Sequence, residues 1–294
     1  MEKYKGKVDD FIKKNEVDES IKDRIPQPRF DFIGDQVWNK AVAAMLAGKN
    51  LLLVGEKSTG KNVLAENLAS YFNRPLWDIS FNINIDTASL IGSDTLRAGN
   101  VVFQPGPIYD CARFGGFGIL DEINMAKNEA IAVLHSTLDY RRSIDIPGYR
   151  RIDLHEATRF IATMNYGYAG TRELNEALLS RFVVIEMPIL AEEDIDLLLQ
   201  REFPLLKERY RMQLAALFID LRKKVEGGEI SNACLDIRGL IDAISMMDLG
   251  LKLRQALDMT VVDKSFDPFE KDLIRDVIKA RFSPDLDTKD LFGA

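Results

Sequence analysis

The chain has 294 residues, 46% hydrophobic and 29% charged, the balance of an ordinary globular protein that can bury a sizeable core in one large domain or two modest ones. Two cysteines, Cys111 and Cys234, stand far apart in no paired spacing, which excludes a disulfide scaffold and a cysteine metal cluster and fits a reducing compartment. A net charge of −7, from 39 basic and 46 acidic residues, excludes a chain-wide basic footprint for nucleic acid.

Residues Met1 to Asp10 are polar and lack the apolar core of a signal peptide. No apolar run approaches the roughly 18 residues that span a bilayer, so a cytoplasmic protein without membrane insertion is expected. Residues 1–29 read as a charged extension, with Phe11, Ile12 and Ile21 on one weak amphipathic helix, closed by the helix-breaking run Ile25-Pro26-Gln27-Pro28. The folded body is expected to begin at Phe30.

Short apolar runs follow: Asn50 to Val54, Leu76 to Ser80, Phe117 to Asp121, Phe160 to Met164 and Phe182 to Met187. Each has the length of a buried strand, and helical stretches lie between most of them. That alternation predicts an α/β domain over 30–189, a parallel sheet covered by helices. Residues 190–294 carry helical periodicity instead, with Leu197, Leu198, Leu205, Leu206, Leu214, Leu217 and Leu221 marking apolar faces. A second, all-helical domain is expected there.

The first strand runs into Gly55-Glu56-Lys57-Ser58-Thr59-Gly60-Lys61-Asn62, and Val63 opens a good helical pattern. Glycines let such a loop curl its N–H groups onto phosphate oxygens, and the helix behind presents its positive end to the same anion. Lys61 reaches the β- and γ-phosphates of a nucleotide. The motif asks for Ser or Thr after the lysine as a Mg²⁺ ligand, and Asn62 offers an amide oxygen in its place.

Asp121 and Glu122 end an apolar strand. In that position Asp121 holds Mg²⁺ or its water, and Glu122 polarises an attacking water beside the γ-phosphate. Asn165 ends another apolar strand and either orients the same water or simply forms a turn. Arg141, Arg142, Arg150 and Arg151 cluster around Ser143 to Ile152, a hairpin pattern. They bind an acidic partner or nucleic acid, or are solvated surface charge. Ser93 to Phe103 reads as another hairpin, turning at Gly99-Asn100.

Together, the loop Gly55 to Asn62, the Leu120-Asp121-Glu122 run and Ala162-Thr163-Met164-Asn165 resemble Walker A, Walker B and sensor 1 of AAA+ ATPases. Phe103-Gln104-Pro105-Gly106-Pro107, Gly115 to Asn124, and Gly170-Thr171-Arg172-Glu173-Leu174-Asn175-Glu176-Ala177-Leu178-Leu179-Ser180-Arg181-Phe182 are similar to the MoxR group, with the CbbQ/NorQ, dynein-related branch as the nearest. The resemblance implies a five-stranded parallel sheet with a helical lid, assembled as a ring, usually a hexamer, with ATP and Mg²⁺ between subunits. It makes Arg181 the arginine finger that reaches the neighbouring subunit's γ-phosphate. It makes Arg238 a sensor 2 residue contacting phosphate from its own chain, and the two hairpins the family's inserts. MoxR-type members act as chaperone-like activators of a client protein, often with a partner carrying a von Willebrand factor A-type domain. Two other readings stay open: a nucleotide-binding scaffold with little turnover, and a nucleic-acid motor subunit.

Overall fold

The computed structural model describes residues 2–146, 148–165, 174–283 and 286–293. Gly170, Thr171, Arg172 and Glu173 of the motif ending at Phe182, and Pro147 of the second hairpin, lie outside them.

Five apolar runs form the strands β1 (Asn50–Val54), β2 (Leu76–Ser80), β3 (Phe117–Asp121), β4 (Arg159–Met164) and β5 (Phe182–Glu186). They make one parallel sheet in the spatial order β2-β3-β4-β1-β5. The inward-facing positions of the central strands are mostly apolar because both faces of the sheet are covered. Alternate residues divide between two cores. Leu51, Leu53, Ile119 and Ile161 pack with helices α2 (Asp35–Leu46) and α3 (Lys61–Tyr71); Leu52, Leu120, Phe160 and Ala162 pack on the other face with Ile108 and Ala112 of α4 (Pro107–Phe114). Because the strands are parallel, the exits of β1, β3 and β4 share one edge, the edge where open α/β sheets bind ligands.

The segment 1–29, expected as an extension ahead of the folded body, packs onto that body. Helix α1 (Lys5–Lys14) buries Val8, and Tyr4, Phe11 and Ile12 join the core on the α2/α3 face. The Phe11 and Phe72 rings meet edge-on, 5.3 Å between centroids. Ile21 sits apart from this helix and packs against the opposite core. Arg74 fastens α1 in place. Its side chain is fully buried and donates from Nη1 to the Asn15 carbonyl (2.5 Å), from Nε to the Gly115 carbonyl (2.7 Å) and from Nη2 to the Phe114 carbonyl (3.2 Å). One guanidinium thus satisfies open carbonyls at the ends of α1 and α4. Burial pushes it down to about 10. Arg74→Met leaves those acceptors without a donor, at about 1–3 kcal/mol each. A loss of at least about 3 kcal/mol of unfolding free energy in urea is therefore expected; an unchanged midpoint would mean that water replaces the guanidinium.

The first hairpin pairs Gly92–Arg97 with Asn100–Pro105. Its turn is Ala98-Gly99, one residue earlier than the sequence pattern implied: both have positive φ (48° and 81°), as a two-residue turn of this hand requires, and Asn100 is already paired with Arg97. The second hairpin pairs Ser143–Ile144 with Ile152–Asp153. The two are joined: Tyr149 O–H donates to Asp94 Oδ1 (2.5 Å), and the Phe103 and Tyr149 rings lie 5.1 Å apart.

The chain divides into units Met1–Pro188 and Ile189–Ala294. The second is built from α5 (Glu192–Glu202), α6 (Glu208–Glu226), α7 (Ile237–Asp248), α8 (Leu253–Thr260) and α9 (Pro268–Arg281). Leu206, Leu214, Leu217 and Leu221 are in its core, whereas Leu205 is exposed and marks no apolar face. Among the described residues no helix is long and apolar enough to cross a membrane.

Candidate functional site

The loop after β1 is held at its root. Gly55 N–H donates to the Met164 carbonyl (3.3 Å), and Met187 N–H to the Val54 carbonyl (2.8 Å). A Cβ on Gly55 would sit 2.9 Å from that of Met187, so only glycine fits. Ser58 and Gly60 adopt positive φ (64° and 81°), which curls the loop before α3 begins at Lys61. Thr59 Oγ1 closes the curl by donating to the Glu56 carbonyl (2.9 Å). In front of the loop, Asn67 on α3 accepts from Phe32 N–H (3.2 Å) and donates to the Phe30 carbonyl (2.8 Å), setting Phe32 against Gly60.

Lys61 is buried, and its Nζ donates to the carbonyls of Gly55 (3.0 Å) and Glu56 (2.6 Å) and to Thr59 Oγ1 (3.4 Å). Burial pushes its ammonium down to about 8, while the negative charges of Asp121, Glu122 and Glu56 act to raise it. Asn62 is exposed on the first turn of α3, as is Lys57 in the loop, and Val63 is half-buried.

At the exits of β3 and β4 one hydroxyl joins the carboxylates. Thr163 Oγ1 donates to Asp121 Oδ1 (2.5 Å) and accepts from Glu122 N–H (3.0 Å). Glu122 has φ 55°, a left-handed conformation that glutamate rarely takes. Asn165 Nδ2 donates to Glu122 Oε1 (3.3 Å), and buried Asn124 donates to the Asn165 carbonyl (3.2 Å). Lys61, Asp121, Glu122 and Asn165 thus belong to one sheet edge.

Arg181 and Arg238 are held by other partners. Arg181 is engaged within its own chain: Nε donates to the His135 carbonyl (3.2 Å), Nη1 to the Ala177 carbonyl, and Nη2 faces Asp139 Oδ2 at 3.6 Å. Asp139 is also held by Arg141 (2.7 Å), whose hydrogen bond, followed by its charge and that of Arg181, keeps the carboxyl below its usual range. Arg238 belongs to the second unit and is 73% exposed; Asp236 caps its helix through the Arg238 N–H (3.1 Å) and pairs with its guanidinium (3.7 Å). Thr163 and Asp139 were not singled out from sequence. Thr163 stands two places before Asn165 on the same strand face, a signal that was available; nothing in the sequence ties Asp139 to Arg181.

The donor set fits a nucleotide with Mg²⁺. The curled loop and the buried ammonium suit a polyphosphate, and Asp121 with Asn62 offers hard oxygen ligands to an ion that takes its remaining ligands from phosphates and water. Among the described residues no group of three His, Cys, Asp or Glu side chains forms a separate metal cage. Polyphosphate favours the charged form of Lys61, so binding takes up a proton wherever that lysine is neutral beforehand. Affinity is expected to be full below pH ~8 and to fall about tenfold per unit above it, until the raised pKa of the bound state is passed. Calorimetry at pH 9 in buffers of differing ionisation enthalpy should show net proton uptake; zero uptake means that the lysine is already charged before the nucleotide binds.

Residues 50–182 match the family described as AAA domain (dynein-related subfamily). The uncharacterized protein YojN of Bacillus subtilis is 33% identical over 248 residues, 82% of this chain and 81% of that protein. An uncharacterized protein of Staphylococcus saprophyticus is 32% identical over 255 residues, 84% of this chain and 96% of that protein. A mutant RuvB from Thermotoga maritima aligns at TM-score 0.49 and 17% identity, over 89% of this chain and 74% of that one, a likeness too distant to argue from.

Proposed function

The chain belongs to the AAA ATPases, by its dynein-related AAA domain, and from that premise we propose that it hydrolyses Mg-ATP at the sheet edge bearing Lys61, Asp121, Glu122 and Asn165, and couples turnover to remodelling of a partner protein. The observation that carries the reading is the meeting of a buried lysine-bearing loop with two carboxylates and an amide at the exits of β1, β3 and β4.

In this reading the loop amides and Lys61 hold the phosphates. Glu122 accepts a proton from the attacking water, and Asn165, already donating to Glu122 Oε1, orients that water through the same amide group. Asp121 and Asn62 hold Mg²⁺, which when bound offsets charge on the phosphate oxygens. Arg181 acts on the neighbouring subunit's nucleotide in a homo-oligomeric ring, for which a hexamer is the expectation, and Arg238 reports the phosphate to the helical unit. Remodelling of a client in the manner of MoxR-type members rests on the motifs Phe103 to Pro107 and Gly115 to Asn124. A steady ATP turnover that rises with protein concentration, abolished by Lys61→Ala, is the expected result; absence of both binding and turnover rejects the reading.

Asn62 favours a second reading, a nucleotide-binding scaffold with little turnover. Its side chain is one atom longer than that of serine, so the ion or its water must shift. Asn62→Thr is expected to lower the Mg²⁺ concentration at half-maximal turnover. A wild type inactive at every Mg²⁺ level, with activity appearing in Asn62→Thr, establishes the scaffold; coincident titrations remove Asn62 from the metal. The net charge of −7 weighs against a nucleic-acid motor.

A further inference from the structure

We propose that Thr163 is a positioning residue for hydrolysis: its single hydroxyl sets Asp121 and Glu122 relative to one another, and turnover depends on it. The inference rests on the ATPase reading above and adds to it a buried residue that acts through the two acids.

Thr163 is 1% exposed and sits on the inner strand β4, paired with Leu53 of β1 on one side and facing β3 on the other. A hydroxyl has one proton to give. Here it goes to Asp121 Oδ1 at 2.5 Å, which leaves the oxygen to accept Glu122 N–H at 3.0 Å. The two neighbouring acids are therefore tied to one atom by opposite kinds of bond, one through a side chain and one through a backbone amide.

The backbone bond has the larger consequence. Glu122 turns off β3 with positive φ, which aims its side chain at Asn165. That conformation is unfavourable for glutamate and persists only where surroundings hold it. Thr163 supplies the hold at the amide, and Asn165 supplies it at the carboxylate. Without the hydroxyl the Glu122 amide loses its acceptor, the backbone relaxes, and the carboxylate moves from the attacking water. Displacements of about 1 Å cost on the order of 10²-fold in rate. An ordinary β-branched residue filling a strand would give a different result, since valine fills the same space.

Three variants decide the matter, each measured for nucleotide affinity, turnover and thermal unfolding. Thr163→Val should bind nucleotide within about threefold of wild type, because Lys61 and the loop amides are untouched, and lose about 10- to 100-fold in kcat. Thr163→Ser keeps the hydroxyl and should recover most of that loss. In a Glu122→Gln background, Thr163→Val should cost little more, because a residue acting through Glu122 has nothing left to act on. Thr163→Val with wild-type kcat overturns the proposal. So does an equal loss in both backgrounds, which excludes action through Glu122, or a Thr163→Ser as impaired as the valine variant, which indicates packing alone. If Thr163→Val fails to fold, Thr163→Ala beside Thr163→Ser decides: a loss in alanine that serine does not share supports the proposal, and equal turnover in the two overturns it. A wild type that binds but does not turn over ATP removes the ATPase reading itself, and the Thr163 proposal with it.

Discussion

Glu122→Gln is expected to lower ATP turnover by about 10²-fold or more, the scale of lost general-base help, with nucleotide binding at pH 7 retained. The substitution is a clean one because of what surrounds the side chain. Asn165 Nδ2 donates to Glu122 Oε1, and the glutamine carbonyl accepts the same bond. The Glu122 N–H to Thr163 bond belongs to the backbone and is unaffected. Only the charge and the proton-accepting capacity leave. Single-turnover hydrolysis alongside equilibrium binding reads the two effects separately. Turnover near the wild-type rate would take Glu122 out of the mechanism and leave Asp121 as the only acid there with a role.

Arg181→Ala is expected to reduce turnover by about 10³-fold, the scale of an arginine that stabilises transition-state charge from a neighbouring subunit. Within one chain Arg181 is engaged by Asp139, His135 and Ala177, so a role in trans requires it to exchange Asp139 for phosphate. The decisive experiment mixes Arg181→Ala with Lys61→Ala. Each is inactive alone, yet in a mixed ring some sites combine an intact loop with an intact guanidinium, and partial activity returns. Failure to recover in assemblies that demonstrably exchange subunits would place the action of Arg181 within its own chain. Asp139 keeps Arg141 as a partner when Arg181 is removed, so loss of fold is not the expected cause of lost activity.

Much of the fold was readable because a buried parallel strand writes itself as a run. Leu51 to Val54 and Phe117 to Leu120 are continuous apolar segments with chain-breaking or charged residues after them, and both faces of each are covered. Gly55 to Lys61 was readable for a different reason: curling a backbone around an anion restricts which residues fit, and Gly55 tolerates no Cβ. Helix α1 was harder. Its apolar residues, Tyr4, Val8, Phe11 and Ile12, form a helical stripe, but Lys5, Lys7, Asp9, Asp10 and the two following lysines dilute it in composition. Partners across the fold were not readable at all. Thr163 meets Asp121 and Glu122 only because β3 and β4 lie side by side, and Arg181 meets Asp139 only because two short helices end near each other. Such pairings depend on register, and a spacing along one chain does not encode them.

Arg74 gives the first unit a mechanical axis. It ties the end of α1 to the chain just ahead of β3 and stands two residues before β2. A pull on α1 would load that guanidinium together with the Phe11–Phe72 contact and pass through it to the entries of β2 and β3. Hydrogen-bonded parallel strands resist shear along their length, so the load arrives with little slack at their exits, where Asp121 sits. The tether and the carboxylates are the two ends of the same short rods. Tension on the N-terminal helix and chemistry at the nucleotide edge would then share one line of force.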